Sequence, residues 1–174
     1  MKGPTIVHAF GDDALGDDDA TGLAERLLSG EVSSVEVTEA AIARIERVNP
    51  HLNAIAYRDF EAALERARRL RTPRGAFGGV PALAKENIHV KGMPMTMGSK
   101  ALPDRLQKRD GDFTRQLLDT GVNLLGTTMM PEFGWTATTE RMGGDVTRNP
   151  WQTDYSSGGS SGGSAALVAS GAVP

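Results

Sequence analysis

Apolar positions recur along this chain at helical spacing first and at strand spacing later, with polar punctuation between them. Leu23, Leu27 and Leu28 share one helical face within Ala20–Leu28, and Ser29-Gly30 closes that segment. Ser33 and Glu36 then stand three residues apart, the spacing of a capping box. The helix they open places Val37, Ala41, Ile45 and Val48 on its buried side and Arg44, Glu46 and Arg47 toward water. Asn49-Pro50 should end it, because a residue before proline leaves helical geometry. Leu52–Tyr57 reads as a short strand. Asp59 caps a helix over Phe60–Leu70, whose Arg66, Arg68, Arg69 and Arg71 form a basic end. Cations there suit the helix dipole, and a nucleic-acid patch is the competing use.

Past residue 75 the pattern alternates. Val80–Ala84 is a short apolar run, Asp112–Asp119 a short helix with Gly121 as its cap, and Val122–Leu125 a buried strand. Met93, Met95 and Met97 alternate as core or pocket lining. Ser164–Ala169 is a buried helix of small residues entered from a serine cap. Strands alternating with helices predict an α/β fold. Residues 1–19 show no periodicity and carry Asp12-Asp13 and Asp17-Asp18-Asp19. They read as a flexible, solvated N-terminus ahead of one unit over 20–174, with a metal cluster as the competing use of the acids.

Two stretches carry candidate chemistry. Tyr155–Gly171 packs Gly158, Gly159, Gly162 and Gly163 among serines directly before the small-residue helix. A flexible linker, a phosphate-binding loop and a catalytic serine loop all have this composition. Gly158-Gly159-Ser160-Ser161-Gly162 also fits G-x-S-x-G, in which Ser160 would be the nucleophile of an α/β-hydrolase-like esterase. The apolar helix behind the loop and the rigid Asn149-Pro150-Trp151 turn before it argue against a linker, and no lysine follows the glycines as a phosphate loop requires. All three histidines (His8, His51 and His89) precede Ser160, whereas the esterase order places histidine after the serine. The second stretch is Gly78–Asn87, where Lys85 ends an apolar run and Glu86 follows it. A lysine in that position snorkels, pairs with a carboxylate, or sits desolvated as a neutral base.

N-P-W followed by G-G-S-S-G-G-S-A-A resembles the amidase signature family, the Ser–cis-Ser–Lys hydrolases. The likeness extends to S-G-E-V-S-S-V-E-V at 29–37, G-V-P-A-L-A-K-E-N at 79–87, G-M-P-M-T-M-G-S at 92–99 and G-T-T-M-M-P-E-F at 126–133. Thr127 and Met129 depart from the lysine and asparagine common in the last of these. The resemblance implies the N-terminal part of a large mixed-sheet domain covered by helices. It implies amide hydrolysis to an acid and ammonia or an amine, in which Lys85 is the base and Ser160 the bridging residue of a cis peptide. Gly158, Gly159, Ser161, Gly162 and Gly163 form the surrounding loop. The nucleophilic serine of the family, in a D-x-G-G-S loop, would lie beyond Pro174. A chain of this extent is then expected to be a fragment, inactive alone. A non-catalytic subunit or binding module with a structural Gly/Ser loop is the remaining alternative. Glu132 reads as a loop anchor and His89 as structural.

Composition narrows the partners more than the fold. A net charge of −3 over 174 residues gives no electrostatic reason for nucleic acid or an anionic membrane. The absence of cysteine excludes disulfides, thiol catalysis and cysteine-ligated metal. No cofactor or metal is implied; a small-molecule amide is. Amphipathic helices like those at the start pack on a sheet or form a homodimer contact. Without an apolar run of spanning length or a leader pattern, a cytoplasmic location is expected.

Overall fold

A computed structural model describes residues 6–174. Its centre is β3 (Asn123–Thr128), which is buried at every position. It lies between β1 (Ile55–Arg58), antiparallel to it, and β2 (Pro81–Lys85), parallel to it. The β2–β3 register slips between Ala82 and Ala84, so that β3 carries one extra residue there, next to Gly126. Beyond the slip Lys85 stands opposite Thr128, while Ala84 stands opposite Thr127.

Successive strand residues face opposite sides of the sheet, and each side has its own core. Leu125 joins Leu23, Val37, Ala41, Ile45, Val48 and Leu167 on one side. Leu124 joins Ala84, Val90 and Met93 on the other. The first core is built by α1 (Ala20–Ser29), α2 (Ser34–Leu52), α3 (Phe60–Arg69) and α5 (Gly162–Ala169). The second receives Leu117 from α4 (Asp112–Asp119). Together they form a mixed α/β fold, as the periodicity and the resemblance predict. A hairpin of β4 (Arg148–Asn149) and β5 (Gln152–Ser156) turns at Pro150-Trp151 and leads into the Gly/Ser loop.

The predicted capping box forms. Ser33 Oγ accepts from the Glu36 amide at 3.2 Å, and the Glu36 carboxylate accepts from the Ser33 amide at 2.8 Å. Several local expectations differ. Leu28 is 72% exposed, because only Leu23 and Leu27 of α1 face the core. Helix α2 runs through Pro50 to Leu52, with Val48 and Leu52 buried along its last turn. Asn49, not the proline, organises the stop: its side chain accepts from the Ala54 and Ile55 amides at 2.7 and 3.0 Å. Asp59 makes no cap bond and pairs with Arg66 at 3.0 Å instead. Thr120 caps α4, and Gly121 supplies the left-handed turn behind it (φ 90°). Strand β3 continues to Thr128, past the expected end at Leu125.

Arg44 departs most from expectation. It is 3% exposed and holds Asp13 with two hydrogen bonds of 2.7 and 2.8 Å. The same guanidinium donates to the Gly11, Gly16 and Gly171 carbonyls. The acid-rich start therefore lies against the body as a strap. Val7 N–H donates to Pro150 O and Ala9 N–H to Ser170 O, while Asp19 caps α1. Burial opposes ionisation of Asp13, but hydrogen bonds from Arg44 and the Leu15 amide, with the charges of Arg44 and Arg47, outweigh it. They hold the carboxyl below its usual value of 3.8.

Candidate active site

Lys85 is the last residue of β2 and projects from the face that α5 covers, since Leu83, two residues earlier, packs into the helix-side core. The loop before α5 comes down onto the same place. Lys85 Nζ lies 2.7 Å from Ser160 Oγ and 3.0 Å from Ser161 Oγ. The Gly159–Ser160 peptide bond is cis. Residues 75 apart in sequence are thus in direct contact. These are the two positions at which the resemblance leads one to expect a base and a bridging serine.

Among the described residues Lys85 has no carboxylate partner. Glu86, the neighbour that could have paired with it, faces the opposite side of the sheet. There it is buried, paired with Arg141 and hydrogen-bonded by the Thr96 hydroxyl. Partial burial without a compensating anion lowers the Lys85 pKa below the ordinary 10.5. A larger neutral fraction leaves a lone pair on Nζ, which can take the proton of Ser160.

The loop is held by close packing on its inner side, while Gly159 and Ser161 are exposed. Gly163 passes between two backbone segments: a Cβ there would lie 2.5 Å from both Ala54 O and Met129 N. A Cβ on Gly162 would fall 2.2 Å from Thr139 Oγ1 and 2.4 Å from Ser157 Oγ. Gly158 gives its carbonyl to the Thr139 hydroxyl at 2.7 Å, and Gly159 lies on the Thr138 backbone. Ser164 in the first turn of α5 meets Thr128 Oγ1 at 2.8 Å, tying the helix to β3 beside Lys85.

Other sequence candidates lie elsewhere. The His89 side chain is exposed, and its carbonyl accepts from Thr114 and Gly111. The Ser160 hydroxyl meets Lys85, not a histidine. Of the acidic residues in 12–19, Asp13 contacts Arg44, Asp18 contacts Arg26 and Asp19 caps α1. No group of three His, Cys, Asp or Glu side chains fit to hold a metal occurs among the described residues. A cleft of about 560 Å³, bounded by Tyr57, Glu86, Thr96, Lys100 and Arg141 among others, includes neither Lys85 nor Ser160. Sequence reasoning missed two features. Ser161, expected only as loop, touches the lysine amine. Thr139, in a stretch without any pattern, touches both ends of the loop.

A lysine and two serines thus meet at the mouth of a Gly/Ser loop on a mixed α/β fold. A family model for amidases matches residues 36–174, and the chain belongs to the amidase signature family. It is 51% identical to the AmiC protein of Mycobacterium leprae over 168 residues, covering 97% of this chain and 36% of that protein. Against a glutamyl-tRNA(Gln) amidotransferase protein of Acidothermus cellulolyticus it is 40% identical, over 89% of this chain and 32% of that one. Among solved structures, 6-aminohexanoate cyclic dimer hydrolase superposes with a TM-score of 0.84 at 38% identity, covering 94% of this chain and 34% of that one. The chain therefore spans about a third of the length of the curated relatives it matches. No helix among the described residues is long and apolar enough to cross a membrane.

Proposed function

We propose that this chain supplies the base and the bridging residue of an amide-hydrolysing proton relay, acting on a small-molecule amide. The observation that carries the reading is the 2.7 Å contact between Ser160 Oγ and a lysine amine with a lowered pKa and no carboxylate beside it. Neutral Lys85 accepts the proton of Ser160 while Ser160 accepts that of a second, nucleophilic serine. That serine forms the bond to the amide carbonyl carbon, the C–N bond breaks, and the relay delivers its proton to the leaving nitrogen. Water then attacks the acyl-serine through the same groups and releases the acid. The two serines near Lys85 are assigned as bridge (Ser160) and loop (Ser161). The nucleophile is assigned to a D-x-G-G-S loop beyond Pro174.

A serine-directed fluorophosphonate tests the assignment. The 174-residue chain alone should take up no stoichiometric label and turn over no aliphatic or aromatic amide. The product of a reading frame that continues through a D-x-G-G-S loop should be labelled there and hydrolyse amides. Lys85→Ala and Lys85→Arg in that product should both abolish turnover with the fold intact by circular dichroism, since a guanidinium does not deprotonate at working pH. Labelling of Ser160 itself would replace the relay with the esterase reading of G-x-S-x-G.

A further inference from the structure

We propose that Thr139 is a positioning residue for this relay: its one hydroxyl bridges the two ends of the Gly158–Gly162 loop and so sets where Ser160 and Ser161 stand against Lys85. The bond donated to Gly158 O is 2.7 Å, and the bond accepted from Gly162 N–H is 3.1 Å. A hydroxyl has one proton to give and lone pairs to receive with, so it serves both ends at once. At Gly158 O the Ser157 hydroxyl approaches only to 3.4 Å, so Thr139 gives the shorter bond. Gly162 is the first residue of α5, and the opening amides of a helix have no partner inside it. Ser161 in the cap position makes no side-chain cap bond, because its hydroxyl is on Lys85 instead.

Thr139 is itself held rigidly. It is fully buried, and its carbonyl accepts from the Thr147 amide at 2.9 Å. Thr147 is also fully buried; its hydroxyl donates to Asn53 O at the end of α2, and its carbonyl accepts from Ser157 N–H. A chain of contacts thus runs from the end of α2 through Thr147 and Thr139 to both flanks of Ser160. Two residues further on, Arg141 donates to Met130 O at 2.9 Å and pairs with Glu86, the residue after Lys85. The segment 139–141 therefore grips the serine loop with one side chain and the end of β2 with another. The lack of a side chain at Gly162 leaves the space that the Thr139 hydroxyl fills.

The catalytic meaning of this clamp rests on the relay reading, but the clamp can be tested without turnover. In the 174-residue chain, Thr139→Val should speed hydrogen exchange of the Gly162 amide by about fivefold or more, the loss of one hydrogen bond, while Leu125 and Val48 amides keep their rates. The Lys85 amine, followed by NMR of its Cε and Nζ, should titrate closer to ordinary lysine as the loosened loop admits water. Thr139→Ser keeps the hydroxyl and should restore both readings. Unchanged Gly162 exchange and an unchanged Lys85 titration in Thr139→Val would overturn the proposal, as would a serine variant no better than valine. If the valine variant does not fold, the parent chain decides: a Gly162 amide exchanging as fast as one in an open loop overturns the clamp, and a protected one supports it. Failure of the relay has a different signature, retained amide hydrolysis in Lys85→Ala of the longer product with Gly162 still protected.

Discussion

At the scale of single residues, the pattern of charges decides what each ionisable group does. Lys85 sits partly desolvated beside hydroxyls, whereas the carboxylate next to it in sequence is spent on Arg141. The depressed value means that the unfolded chain binds a proton on Lys85 more readily than the folded chain does. Stability therefore rises with pH between the folded Lys85 value and 10.5, and is flat with respect to this group above 10.5. Lys85→Met should remove that rise, which parallel denaturant titrations at several pH values would show. Asp13 runs the other way. Its carboxyl is held below 3.8, so its contribution is fully present above that pH and is lost as pH falls through the folded value. Asp13→Ala leaves the buried Arg44 with carbonyl partners only and should cost about 2 kcal/mol at neutral pH, read as a lowered denaturant midpoint. The place of Lys85 after an apolar run left snorkelling, pairing and desolvation all open, and only the motif around it singled out the last. The burial of Arg44 was not legible, because helical spacing next to Glu46 and Arg47 marks it for water and its partners lie as far away as residue 171.

At the scale of elements, legibility followed how local the cause is. The α2 start was readable because the capping box is made by residues three apart, and α4 matched its expected span because its boundaries are set nearby. Ser33→Ala should lower stability by about 1 kcal/mol, measurable as a shift in thermal midpoint. Glu36→Gln, which keeps an acceptor for the Ser33 amide, should cost less. The far end of α2 escaped prediction since its continuation through Pro50 depends on burial of Val48 and Leu52 against other elements. Strand β3 ran longer than expected for a similar reason. Thr127 and Thr128 carry no apolar signal, yet both are fully buried between β1 and β2. The register slip that sets Lys85 opposite Thr128 is a pairing property of two strands, and neither strand announces it alone.

At the scale of the whole molecule, the resemblance read from motifs and the fold agree, and what the motifs left out is the set of long-range contacts. The N-terminal strap is the clearest instance. Its acids read as a solvated tail, but Asp13 pairs with a guanidinium supplied from α2, and the strap backbone bonds to Pro150 and Ser170. Shortening the chain to Ala169 should raise the rate of proteolytic cleavage within residues 7–16 while leaving α2 and β3 protected, since Ser170 and Gly171 provide acceptors for the strap and for Arg44.

The Arg44–Gly171 bond also sets a schedule for synthesis. Its two ends are 127 residues apart, and a ribosome adding residues at about 5–20 per second separates their appearance by roughly 6–25 s. For that interval the nascent chain holds a guanidinium meant for the interior with one of its acceptors not yet made. Helices α1 and α2 can form early, but the strap closes only after α5 has emerged. A translational pause before codon 171 should therefore lengthen exposure of the strap to proteases and chaperones, while a pause after residue 171 has left the ribosome should not.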